Sequence, residues 1–179
     1  MERYQRIIED EVYIRHIRKT EEYEKNREFG HHDMQHFLDV ARVGMLINLT
    51  EGYNIPKDMI YAAALLHDVG RDVQYEDGTP HDIASVDITK DIFTRIGDDI
   101  KNECADNGER DLSKLFYTKE EQEEILAAIG DHRNKDIRTE KSLAGLLYRA
   151  DKESRPCYFC KAYEECNWKP DKKNDYLIW

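Results

Sequence analysis

The chain is predicted to be an all-α, single-domain bundle of about six helices. Three observations carry this. Apolar residues recur at helical spacing in block after block of the 179-residue sequence. No segment longer than a few residues alternates polar and apolar in the manner of a half-buried strand. Only 4 prolines occur, and no internal repeat, low-complexity tract or Pro/Gly-rich linker interrupts the pattern. The length suits one domain with a sizeable core.

Residues 2–28 read as one charged amphipathic helix. A second runs from Asp33 to Asn48 and ends near Gly52. Pro56 suits the first turn of a third helix, which extends to Val69, with Gly70 as its C-terminal stop. YEDGTP reads as a turn, and a fourth helix covers His81 to Ile96. Residues 97–117 carry the weakest pattern: Gly-Asp-Asp, Asn-Gly and a short apolar LFY. The fifth helix opens with Thr118, a good cap, and places carboxylates where the helix dipole favours them. The sixth covers Glu140 to Ser154, and Arg155-Pro156 ends it. The tail beyond Trp168 reads as surface. The core is therefore expected at 30–155, between an N-terminal helix and a Cys-containing segment at 156–179.

Composition narrows the function. Apolar residues make up 40% and charged residues 36%, which predicts a folded chain with a solvated surface. A net charge of −11 argues against a nucleic-acid strand or an anionic membrane as partner, since both need a basic footprint. A small phosphorylated substrate stays compatible, because a divalent metal can invert the local field. MERYQRIIEDEV lacks the apolar core of a secretory signal, and the nearly apolar stretch Met59–Leu66 is too short to span a bilayer. Four cysteines in such a chain predict reduced thiols and a cytoplasmic location. Oligomeric state is not encoded legibly.

The informative feature is where polar residues interrupt apolar faces. His36 shares a helical face with Val40, Val43 and Ile47. His67 follows Ile60 and Ala63 at i−7 and i−4, and Asp68 comes next. His132 follows Ile125 and Ala128, Asp151 follows Ala144 and Leu147, and His81 precedes Ala84 and Ile88. Each alone reads more often as a hydrogen-bonded core histidine, or as a helix-end cap or solvated aspartate, than as a ligand. Together they place imidazoles and costly buried carboxylates on inward positions of successive helices, which calls for a shared cation. Such donors suit zinc, iron, manganese, nickel or cobalt.

Three segments resemble the HD-domain superfamily of metal-dependent phosphohydrolases. QHFLDVAR is similar to its first-histidine helix, AALLHDVGR to its defining His-Asp helix, and LLYRADK to the helix of its final aspartate. The resemblance covers roughly residues 30–155. It implies that His36, His67, Asp68 and Asp151 hold one metal, with Asp68 able to bridge to a second. His81 and His132 match the further histidines of dinuclear members, so the implied cofactor is one or two divalent transition-metal ions. The implied activity is hydrolysis of a phosphate ester or anhydride, a nucleotide being the favoured substrate, by a metal-activated water.

Asp68, Arg71 and Asp72 are then the candidate catalytic residues. Asp72 and Asp131, beside the motifs, could orient histidines or be solvated charges. Arg71, Arg133, His31, His32 and Lys152 are the candidate substrate contacts, with Lys135 and Arg149 as further nearby cations and surface solvation the alternative for each. Cys157, Cys160 and Cys166 form a C-x2-C-x5-C pattern. They read as ordinary thiols or, with Cys104, as a second metal or cluster site. Two competing functions remain: a di-iron oxygenase on the same ligands, and a non-catalytic module in which the metal is a fold staple.

Overall fold

The computed structural model describes residues 2–28, 30–107 and 115–179, with only the backbone described at 105–107. Among these residues there are eight α-helices and no strand: α1 (Gln5–Glu9), α2 (Glu11–Glu24), α3 (Met34–Glu51), α4 (Lys57–Leu66), α5 (Arg71–Asp77), α6 (His81–Asn107), α7 (Lys119–Asp131) and α8 (Leu143–Glu153). Short 3-10 turns follow at Lys135–Thr139, Cys157–Phe159 and Pro170–Lys172. No helix is long and apolar enough to cross a membrane.

Helix α4 is the centre of the bundle. Met59, Ile60 and the run Ala62 to Leu66 are all buried, so it is apolar nearly all round and must be enclosed. Helices α3, α7 and α8 enclose it. Helix α6 packs along α7, and α2 lies against α5. The small residues of α4 let its neighbours approach closely, which brings the ends of several helices together at one place.

Four expected elements differ. The N-terminal helix is two, because Asp10 adopts an extended backbone and its carboxylate accepts from Val12 N at 2.8 Å and Tyr13 N at 3.2 Å, capping α2. Gly70 starts a helix and does not stop one. Helix α4 ends at Leu66, residues 67–70 form a turn, and α5 occupies 71–77, where no helix was expected. Helix α6 runs beyond Ile96 to Asn107, passing Gly97, whose Cα faces open space. Helix α8 begins at Leu143 because the Ser142 hydroxyl accepts from Gly145 N at 3.1 Å. The rest of the weak-pattern region, residues 108–114, lies outside the described residues.

The turn at 67–70 is a packing joint. A Cβ at Gly70 would stand 2.5 Å from Ser85 N and 2.7 Å from Ala84 Cβ, so only glycine lets α6 sit this close. Gly70 N donates to Ser85 Oγ at 2.9 Å, which fixes the turn to α6.

Candidate metal centre

Every expected ligand lies at or beside a helix end. His36 is in the first turn of α3, whose cap Asp33 accepts from His36 N at 3.0 Å. His67 and Asp68 follow α4, His81 is the first residue of α6, His132 follows α7, and Asp151 is in the last turn of α8. The carboxyl ends of α4, α7 and α8 and the amino ends of α3 and α6 thus meet here.

The side chains gather into two groups. His36, His67 and Asp151 form one, and Asp68, His81 and His132 the other, the ligand atoms within each group all lying within 4.8 Å of one another. Asp68 joins them. Its Oδ2 is 3.4 Å from His67 Nε2, and its Oδ1 is 3.1 Å from His81 Nε2 and 3.5 Å from His132 Nε2. His36 Nε2 is 3.8 Å from Asp151 Oδ1, and the His36 and His67 rings are 5.3 Å apart.

The outward nitrogens of the rings are already committed. His67 Nδ1 donates to Ala64 O at 2.7 Å and His132 Nδ1 to Ile129 O at 2.6 Å, each carbonyl belonging to the last turn of its helix. His81 Nδ1 donates to Gln74 Oε1 at 2.5 Å. With Nδ1 protonated, each imidazole turns its Nε2 lone pair toward the others. Burial holds His67 and His81 down to about 3, and lowers His36 too, so these rings are neutral at ordinary pH. Burial alone would raise the two aspartates. The Arg71 guanidinium opposes it at Asp68, and the Lys152 and Arg155 cations oppose it at Asp151, so both lie below the usual carboxylate range.

Lone pairs therefore face carboxylates with no proton to share. His36 Nε2, His67 Nε2 and Asp68 Oδ1 are buried without any hydrogen-bond partner. Orphaned acceptors converging in this way are stable around a cation, and four imidazoles with two carboxylates fit the divalent transition metals.

Further candidates divide by position. Arg71 lies against the centre, Nη2 3.2 Å from Asp68 Oδ2, and Lys152 pairs with Asp151. His32 lies against the centre too: its Nε2 is 3.5 Å from Asp68 Oδ2. His31 is exposed and meets no ligand. Arg133 is also largely exposed and is engaged by Asp82 at 3.0 Å. Asp131 and Lys135 are exposed, and Arg149 is held by Glu51 and Glu153. Asp72 is neither a solvated charge nor a member of the centre. It is fully buried, and its carboxylate accepts from His16 Nδ1 at 2.7 Å, joining α5 to α2. The cysteines are free and half-buried, and among the described residues no group of three or more metal-type donors includes one. Cys104 packs against the hydrophobic core.

Three supporting residues escaped the sequence. Glu24, buried on α2, accepts from His32 Nδ1 at 2.6 Å and from Tyr75 at 2.6 Å. Burial would raise it, but the His32 contact holds it at about 2. Gln74 orients His81 from the unexpected helix α5. Arg155 brings Nη2 to 3.6 Å from Asp151 Oδ2. Only Arg155 had a local signal, a cation four residues beyond a core-facing aspartate; the other two become neighbours through tertiary packing.

Comparison with known proteins agrees with this geometry. The HD domain family model matches residues 33–155. The chain is also similar to an uncharacterized protein of Clostridium beijerinckii, 41% identical over 174 residues that span 97% of each chain. No solved structure matches it. The matched span takes in all six gathered donors, and the chain belongs to the HD-domain family.

Proposed function

We propose that the chain is a metal-dependent phosphohydrolase that cleaves a phosphate ester or anhydride of a small molecule, a nucleotide being the favoured class. Membership of the HD-domain family supports the metal-dependent hydrolase superfamily. The observation that carries the proposal is the convergence of two donor groups on Asp68, with His36 Nε2, His67 Nε2 and Asp68 Oδ1 buried and unpartnered among them.

His36, His67 and Asp151 would hold one ion, His81 and His132 a second, and Asp68 would bridge them. Bound divalent ions supply a water of lowered pKa and draw charge from a phosphoryl oxygen. The chain's own residues do the positioning. The His67 and His132 rings are locked by their backbone carbonyls, so their Nε2 atoms need no reorientation. Asp68, held ionised, orients the attacking water. Arg71 and Lys152, beside the two aspartates, offer N–H donors to phosphate oxygens. His32, held by Glu24, reaches the same space. A cytoplasmic setting with reduced thiols belongs to the same proposal.

The test is a panel of nucleotides and phosphate esters, run with manganese, cobalt, nickel, zinc and anaerobic ferrous iron. Phosphate release should appear with at least one pair and vanish in Asp68→Ala. If no substrate is turned over above the Asp68→Ala background, the hydrolase proposal fails. Oxygen uptake by iron-loaded protein without phosphate release would point to the oxygenase instead. A lowered melting temperature as the sole effect of Asp68→Ala would point to a stapled, non-catalytic module.

A further inference from the structure

Arg155 has features the ion pairs around it do not explain. Its side chain is largely buried, yet Nη1 lies away from solvent with no hydrogen-bond partner. The contact from Nη2 to Asp151 Oδ2 is long, at 3.6 Å. The guanidinium lies 4.0 Å over the Trp168 ring, a cation–π contact that fixes its plane while using none of its N–H groups. Asn174 Nδ2 donates to Arg155 O at 2.9 Å, so the C-terminal segment fixes the backbone as well. A buried, pre-oriented fork with an unfilled donor calls for an oxyanion.

Arg155 also lines a cavity of about 320 Å³ between α3, the end of α8 and the chain terminus. Its other walls include Val43 and Leu46 of α3, Tyr158, Tyr176 and Ile178. The acidic groups there are already engaged: Glu153 accepts from Trp179 Nε1 at 2.7 Å and from Arg149, and Asp39 faces Arg42. The cavity is at the small end of ligand sites, with apolar and aromatic walls. Arg155 connects it to the metal centre, since the same guanidinium faces Asp151.

We propose that Arg155 binds the substrate phosphate and that the cavity beside it holds the organic part, a ring-bearing group of nucleoside size. This rests on the phosphohydrolase reading and assigns the C-terminal segment the task of selecting the leaving group.

The experiment is calorimetric titration of the manganese-loaded full chain with two probes, orthophosphate and a non-hydrolysable phosphonate of adenosine. The phosphonate should bind more tightly than orthophosphate. Arg155→Ala should weaken both by about tenfold to a hundredfold, the loss expected of one charge-assisted contact. Arg155→Lys keeps the charge but not the fork, and should recover only part of this at an unchanged melting temperature. Tyr176→Ala should weaken the phosphonate alone. Wild-type affinities for both probes in folded Arg155→Ala or Arg155→Lys, or equal wild-type affinity for the two probes, would overturn the proposal. Turnover is not read here. A chain that shows this binding pattern but hydrolyses no ester refutes the hydrolase assignment and leaves the anion site standing.

Discussion

Asp68 is the side chain on which both donor groups depend. One oxygen faces His67, His32 and Arg71, and the other faces His81 and His132. Asp68→Asn preserves volume but replaces one oxygen with an NH2 donor and removes the charge. Bound metal should then fall by at least half on elemental analysis, and turnover by roughly a thousandfold, the scale of losing a central electrostatic element. Wild-type metal content in that variant would mean that the bridge lies elsewhere. Glu24 is a subtler case, since it touches no ligand directly and acts through His32. Glu24→Gln removes the charge that holds the His32 ring, and activity should drop by about tenfold to a hundredfold while far-UV dichroism is unchanged.

Helices were legible in the sequence where a capping side chain coincides with the start of an apolar pattern. Asp33, Thr118 and Ser142 each accept a backbone N–H within the first turn of α3, α7 and α8, and these elements fall close to where the pattern puts them. The break at Asp10 is hidden because neither glycine nor proline marks it and the amphipathic pattern runs straight across. Gly70 misleads for a different reason. A glycine after an apolar helix normally serves as a left-handed stop, but here φ is −90° and the residue is small because α6 presses on it. That pressure yields a prediction. Gly70→Ala forces a methyl group into the backbone at Ser85, and overpacking of this kind should cost about 2–4 kcal/mol in a thermal or urea melt. Since α6 begins with His81, metal content should fall along with stability. The six donors were legible for another reason: they interrupt regular apolar patterns. Gln74 and Glu24 break no pattern, and only the packing of α5 and α2 shows that they belong to the site.

At the scale of the whole molecule, the metal centre sets the conditions under which the chain is stable. Removing bound metal with a chelator should lower the melting temperature, because an ion bound by the folded state alone stabilises it by about 4 kcal/mol at a thousandfold excess over its dissociation constant. The metal-free chain should also be sensitive to acid in a definite window. His67 and His81 titrate near 3 when folded, against an ordinary value of 6.5. Between those values the unfolded chain binds more protons than the folded one, so stability rises with pH. It is fully present above about 6.5 and is lost as pH falls toward 3, at roughly 1.4 kcal/mol per pH unit for each histidine. Denaturant melts of the metal-free chain from pH 7.5 to 4 should therefore show a steep loss beginning near pH 6.5; Asp68 and Asp151, held below their ordinary range, add a further loss only below that window. In His67→Gln, which cannot take up that proton, the slope should become shallower. An equal slope in the variant would show that His67 is not kept neutral by its buried setting, and would remove the free lone pair on which its role as a ligand depends.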